Sequence, residues 1–345
     1  MRTLTASYVQ SRIFILKDAR SLSVTFNPEN ETVVKLDNGM YIRPSCINCI
    51  EPRCMKMDDT DMGCAEFPEI AQNMNRDVCP VNAIKTGLEK IEIDDNKCIG
   101  CGLCAASCPF GAIYLKSGKA KVSIGDRTNL EELLVNADGI KRQCDYIKHI
   151  AMSTKTGTMQ QESDHVIDAI YENIKNMSQE EQNILARNLL VRLGNHATLG
   201  RQGNVYMRMD GLYKNKMQFG IVEIETGMDV LDVARAILDD IAVMNVRYGV
   251  DKSKNHPLAI ILGIPNKRTD YWQVIKDIKN IVDIPISTIT FGALLILLWN
   301  NRKENDFDKY YIDIDNSSIR KPISALAGRS IKLSEGFCGV LENEK

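Results

Sequence analysis

Cys98, Cys101, Cys104 and Cys108 follow one another with gaps of two, two and three residues, and Pro109 comes directly after. Gly100 and Gly102 lie between the first three, which suits a tight loop that points three sulfurs inward and turns backbone N–H groups toward them. The fourth sulfur falls a turn further on, off that loop, and further cysteines stand upstream. Cys46, Cys49 and Cys54 supply three of them, and Cys79, again followed by a proline, supplies the fourth. Thiolates select zinc or iron–sulfur chemistry. Zinc sites pair their cysteines two by two across a dozen or more residues, whereas here three ligands crowd one loop and a Cys-Pro closes it. Iron–sulfur clusters are therefore the expected cofactor.

From Pro44 to Val122 the chain resembles two-cluster 4Fe-4S ferredoxins. The four-residue gap between Cys49 and Cys54 is similar to that of the electron-transfer subunits of dimethyl sulfoxide reductase type enzymes. Cys79 to Ile84 and Cys108 to Ile113 are the paired half-repeats of that pattern. The resemblance implies two 4Fe-4S clusters with crossed ligands. Cys46, Cys49, Cys54 and Cys108 would hold one, and Cys98, Cys101, Cys104 and Cys79 the other. One departure stands out. Where the family has three residues after the third cysteine, this chain has an acidic, Met-rich insertion, Met55 to Val78, that carries Cys64. Either Cys54 or Cys64 can be the third ligand, and the near spacing favours Cys54. Cys144 reads as a small core residue, and Cys338 has no cysteine near it in sequence.

Carboxylates form a second group able to do chemistry. Asp210 is expected to end one strand, and Glu223 and Glu225 to end the next, with Lys214 to Lys216 as the turn between. The period of two puts Glu223 and Glu225 on one face. Three carboxylates converging at an apolar sheet edge repel unless a cation joins them, and oxygen donors select Mg2+ or Mn2+. Residues 178–300 resemble the PD-(D/E)xK nuclease superfamily, whose core is helix, β-meander, helix and strand. The resemblance implies that Asp210, Glu223 and the Ile224 carbonyl hold the metal, with Asp210, Glu223 and Glu225 as the catalytic set and DNA as the substrate. Glu225 stands where most members have lysine. Glu180 or Glu181 on the preceding helix is a candidate extra carboxylate. Lys214, Lys216, Lys252, Lys254, Lys267 and Arg268 fall in expected turns, where they could meet phosphates.

The elements that must position these groups read as an α+β chain. A small antiparallel N-terminal sheet is expected over 1–43, from Arg12 to Lys17, Leu22 to Phe26, Thr32 to Leu36 and Met40 to Arg43, with Asp37-Asn38-Gly39 as a tight turn. The two-cluster ferredoxin-like domain (44–122) closes on a hairpin of Ala112 to Leu115 with Lys119 to Val122. A connector (123–158) contains a short helix from Asn129 to Leu134. The α/β mixed-sheet, nuclease-like domain (159–300) begins with a helix from Asp164 to Lys175. A capping box at Ser178 and Glu181 then opens a helix that Gly194 stops. Strands Val205 to Gly211 and Gln218 to Glu225 follow, then a helix Val230 to Val246 and a buried strand Leu258 to Ile264. Helix Tyr271 to Ile281, strand Ile286 to Thr290 and the apolar helix Ala293 to Trp299 complete it. The C-terminal extension, 301–345, has only strand-like pieces such as Tyr311 to Asp315.

At 345 residues with 44% hydrophobic content, two or three domains with sizeable cores are expected. With 43 Lys and Arg against 45 Asp and Glu, the chain is no polycation, so any DNA surface must be a local patch. The longest apolar run, Phe291 to Trp299, is too short to span a bilayer, and no signal peptide is read. Thiolate clusters without a disulfide pattern suit a reducing cytoplasm. Two functions follow from these residues. One is a Mg2+-dependent DNA endonuclease of restriction or defence type that carries two clusters and acts as a homodimer. The other is an electron-transfer protein whose α/β domain docks a redox partner. No Gly-rich phosphate loop suggests ATP or NAD.

Overall fold

The structure is a computed structural model. It describes residues 11–16, 34–35, 41–42, 52–63, 66–87, 91–108, 112–122, 130–135, 169–201, 203, 208–227, 230–266, 268–312, 317–318 and 342–343. The chain mixes helices with small antiparallel sheets and one five-stranded mixed sheet, an α+β architecture. It groups into two compact units, Met1–Met55 with Asn82–Glu162, and Lys56–Val81 with Ser163–Lys345.

Among its described residues the first unit contains strands β1 (Ser11–Leu16), β2 (Val34–Lys35), β3 (Tyr41–Ile42), β4 (Ile84–Thr86), β5 (Ile91–Ile93), β6 (Ile113–Lys116), β7 (Lys119–Val122) and β8 (Leu130–Val135), and one short helix, α1 (Leu103–Ser107). β2 pairs with β3, β4 with β5, and β6 with β7, all antiparallel. The turn residues 37–39 and the expected strand from Leu22 to Phe26 lie outside the described residues. β1 does not join an N-terminal sheet with β2 and β3 but pairs with β8, Ser11 opposite Val135 and Leu16 opposite Leu130. Leu130–Val135 is thus a strand, where the sequence suggests a helix. Its Leu and Glu residues have good helix propensity, but propensity is a weak prior that a strand partner overrides.

The second unit is built on strands β9 (His196–Leu199), β10 (Gly211–Lys214), β11 (Phe219–Glu225), β12 (Leu258–Ile261) and β13 (Ser287–Thr290). The sheet order is β13-β12-β11-β10-β9, antiparallel across β9, β10 and β11 and parallel across β11, β12 and β13. Helices α3 (Val230–Tyr248) and α4 (Asp270–Val282) connect the parallel strands. Val233, Ile237, Ile241, Trp272 and Ile275 pack with Leu212, Ile221 and Ala259 into one core on that face. α2 (Gln179–Arg192) and α5 (Phe291–Trp299) pack together, and α2 also lies on the antiparallel strands. Every residue of α5 is buried, as an all-round apolar helix requires. The capping box at Ser178 is present: its hydroxyl takes the Glu181 N–H, and the Glu181 carboxylate takes the Ser178 N–H. Gly220 is fixed by a close approach, since a Cβ there would lie 2.0 Å from the His256 carbonyl oxygen. A short pair, β14 (Ser317–Ser318) with β15 (Glu342–Asn343), lies in the C-terminal extension.

Two expectations are corrected in this unit. The strand before the hairpin is Gly211–Lys214, so Asp210 begins it rather than ends it. The insertion after Cys54, read from the sequence with the ferredoxin-like domain, groups instead with the α/β unit. Gln72 bridges to Gly200, and Asn73 N–H reaches Leu199 O at 2.9 Å, so the insertion continues the sheet beyond β9. Phe67 and Ile70 enter the core with α3 and α4. Burying those side chains, and satisfying the backbone polar groups at the β9 edge, is why an acidic segment packs here rather than looping into solvent. Phe67→Ala should therefore destabilise the α/β unit by about 3 kcal/mol, read as a lower denaturation midpoint. A solvated ferredoxin loop would leave that midpoint unchanged.

Candidate functional site

The cysteine loop is shaped by two glycines. Gly100 and Gly102 have φ of 78° and 81°, the left-handed region, and Gly102 caps α1. A Cβ on Gly100 would sit 2.3 Å from the Gly118 carbonyl oxygen, so the loop presses onto the β6–β7 turn. Cys104 lies in α1, and Cys108 ends it. Asp94 O receives the Cys98 N–H at 2.9 Å, and Ala120 N–H points to Cys98 Sγ at 3.4 Å. Cys54, Cys98, Cys101, Cys104 and Cys108 are buried thiols, and Cys79 is half-buried. An all-sulfur donor set, buried, with a backbone N–H aimed at one sulfur, suits an anionic iron–sulfur cluster. Cys46, Cys49 and Cys64 lie outside the described residues, as do Cys144 and Cys338.

The carboxylates are positioned by strand register. Gly211 pairs with Val222, so Asp210 stands opposite Glu223, and Asp210 N–H donates to Glu223 Oε1 at 3.1 Å. Asp210 accepts from Ile224 N–H at 2.9 Å and from Asn183 Nδ2 at 3.1 Å. Gln179 Nε2 donates to the Ile224 carbonyl at 3.3 Å and to Asn183 Oδ1 at 2.9 Å. Glu225 sits at the end of the same strand, but its Oε1 is taken by Gly227 N–H, and it acts on Asp210 through charge. Among the described residues, no three His, Cys, Asp or Glu side chains are drawn together to hold one metal ion.

Two groups of this centre were not foreseen in the sequence. α2 contributes the amides of Gln179 and Asn183 rather than a carboxylate, since Glu181 is spent on the cap and Glu180 is exposed. Asp240 on α3 is hydrogen-bonded to Glu223 and only 1% exposed, and its Oδ1 has no hydrogen-bond partner. The signal for Asp240 was legible: it falls on the apolar stripe of Val233, Ile237, Ile241 and Met244, where an acid is out of pattern. Beside it, Arg208, Asp239, Val243 and Arg247 line a cavity of about 300 Å³. Of the basic turn residues, Lys214 is paired with Glu66 of the insertion at 2.7 Å, and Lys252 donates to Val282 O. Lys267 lies outside the described residues.

Burial raises all three carboxyl groups. Glu223 is pushed up to about 10 by burial, then by the charges of Asp210 and Asp240. Asp240 is pushed up to about 6, mainly by burial, with Asp210 and Asp239 adding to it and the Glu223 hydrogen bond opposing. Asp210 is raised by burial, against the Ile224 N–H and Asn183 bonds that favour its charged form.

Residues 91–114, which hold Cys98, Cys101, Cys104 and Cys108, match the model of the 4Fe-4S binding domain. An uncharacterized ferredoxin of Methanocaldococcus jannaschii is 49% identical over 79 residues, 23% of this chain and 35% of that one. A second uncharacterized ferredoxin of the same organism is 34% identical over 82 residues, 21% of this chain and 51% of that one. Hydrogenase-4 component A of Escherichia coli is 58% identical over 36 residues, 10% of this chain and 18% of that one. The matched region thus spans about half or less of each of these relatives. Restriction endonuclease FokI overlaps 56% of this chain and 36% of its own at 10% identity, with a TM-score of 0.27, too low to bear on fold or function. The chain thus carries a 4Fe-4S ferredoxin-type segment, over residues 91–114, that is similar to these ferredoxins. No described helix is long and apolar enough to cross a membrane.

A raised carboxyl binds its proton more tightly in the folded state. At low pH both states are protonated and the shift has no effect. As pH rises past the unfolded value near 4.5, only the unfolded state loses the proton, and stability falls until about 10. With divalent cations chelated, Glu223→Gln should therefore melt higher than wild type at pH 8 and at nearly the same temperature at pH 4. A difference independent of pH would contradict this assignment.

Proposed function

We propose that this chain is a ferredoxin-type electron-transfer protein with two 4Fe-4S clusters. Cys98, Cys101, Cys104 and Cys79 hold one, and Cys46, Cys49, Cys54 and Cys108 the other. The observation that carries the reading is the buried thiol loop inside the segment matching the 4Fe-4S domain, with Ala120 N–H, from just beyond that segment, aimed at Cys98 Sγ. A 4Fe-4S cluster supplies a reversible one-electron couple whose potential follows net charge, burial and hydrogen bonds to sulfur. This chain's residues set those terms: α1 and the β6–β7 hairpin exclude water, and the Ala120 N–H favours the more negative state. The relative named as a hydrogenase component supports a redox partner for this chain too.

A second reading rests on a different observation, the pairing of Asp210 with Glu223 beside the unpartnered Asp240 Oδ1. On it, Asp210, Glu223 and the Ile224 carbonyl hold Mg2+ or Mn2+, and the α/β unit cuts DNA phosphodiesters as a homodimer. The oxygen donors suit such a cation, which supplies Lewis-acid activation of water. Glu225 holds the Gly227 turn and adds negative charge to the pair.

Protein purified without oxygen should carry about eight irons with matching sulfide and bleach reversibly with dithionite. Cys101→Ser should lose one cluster, whereas zinc without sulfide would overturn the reading. Cys54→Ser should lose a cluster and Cys64→Ser should keep both; the reverse would assign the ligand to the insertion. For the second reading, Mn2+ should raise the melting temperature of wild type but not of Glu223→Ala. Plasmid DNA should be nicked only with Mg2+ or Mn2+, and intact plasmid with no melting shift would leave electron transfer alone.

A further inference from the structure

β7 meets the first thiol of the cysteine loop with two consecutive residues. Ala120, 1% exposed, aims its N–H at Cys98 Sγ, and Lys119 carries its ammonium to the Cys98 carbonyl oxygen. The β6–β7 hairpin, Ile113 to Val122, holds three lysines and no acid. Their surroundings differ. Lys116 is exposed, and Lys121 is paired with the Asp95 carboxylate. Lys119 is half-buried against the loop that bears the ligands, and among the described residues it is paired with no carboxylate. A carbonyl dipole leaves the charge of an ammonium in place, whereas a carboxylate cancels it. Partial burial also screens Lys119 less than solvent screens Lys116.

We infer that Lys119 sets the reduction potential of the cluster on the Cys98–Cys104 loop, raising it through its charge, while Lys116 and Lys121 leave it nearly unchanged. This rests on the cluster reading proposed above, but it needs only Cys98, Cys101 and Cys104, whichever cysteine completes the set. The step concerned is uptake of one electron from a low-potential donor, with no bond made or broken. That electron adds one negative charge to a group already anionic, so the ammonium beside Cys98 favours the reduced state over the oxidised one. A lysine that only braced the loop would be replaceable by any side chain that donates to the same carbonyl. A lysine that acts by charge is replaceable only by another cation.

The test is an anaerobic redox titration of the loaded full chain, followed by the EPR signal of the reduced form. Lys119→Gln should weaken uptake of the electron roughly ten-fold, ~59 mV for a one-electron couple. Lys119→Arg should titrate like wild type. At roughly 1 M salt, where the screening length is ~3 Å, a shift from Lys116→Gln should vanish and the shift from Lys119→Gln should persist. Acetylating the lysines after loading bypasses any failure of Lys119→Gln to assemble its cluster. With acetylation at 119 verified by mass spectrometry, wild type should then fall roughly ten-fold below equally treated Lys119→Arg. Equal potentials in either comparison would overturn the inference and leave the cluster reading standing. A chain with no reversible couple in any form would bring down both.

Discussion

Two carboxylates face each other across an antiparallel pair, and the polar layout of the α/β unit answers to that constraint. Two unit charges about 4 Å apart repel by ~4 kcal/mol where the effective dielectric is near 20. The fold meets this cost with donors. Ile224 N–H and Asn183 both point at Asp210, while Glu223 is driven toward its protonated form and bonds to Asp240. Each donor is itself held, Asn183 by Gln179 and the β11 backbone by its pairing with β10 and β12. A capping box at Ser178 starts the helix just where Gln179 must stand. Electrostatics at two residues thus fixes what α2 can carry on that face.

The ferredoxin domain is organised by a different economy. Its strands are short, and the thiol loop is folded onto the β6–β7 turn by contacts too close for any residue but glycine. A loop of that kind has little stability of its own, which is why small metal-binding domains draw folding free energy from the bound group.

How much of this was legible depends on range in sequence. The cysteine loop, the β6–β7 hairpin, the Ser178 box and the parallel strands are local patterns and read directly. Asp210 precedes the strand Gly211–Lys214 rather than ending one: β-propensity along this stretch does not fix the strand's start, and the pairing of Gly211 with Val222 does. Leu130–Val135 became a strand because β1 offered it a partner. The destination of the insertion was not legible at all. Its hydrogen bonds run to residues more than a hundred positions away, and no local periodicity encodes that. Asp240, by contrast, was written plainly as an acid on an apolar helix face.

That distance bears on how the chain is made. Asn188 meets Asp77 across 111 residues, and Arg187 meets Asn75 across 112. Ribosomes deliver the insertion, and Cys79 with it, long before the helix that secures them. Contacts of such separation form late, because loop closure must come first. A nascent chain therefore shows its first cysteines to cellular iron and sulfide while the backbone ahead of Cys79 is still unanchored. Delivery of a cluster after synthesis, rather than during it, is the order of assembly that this topology favours.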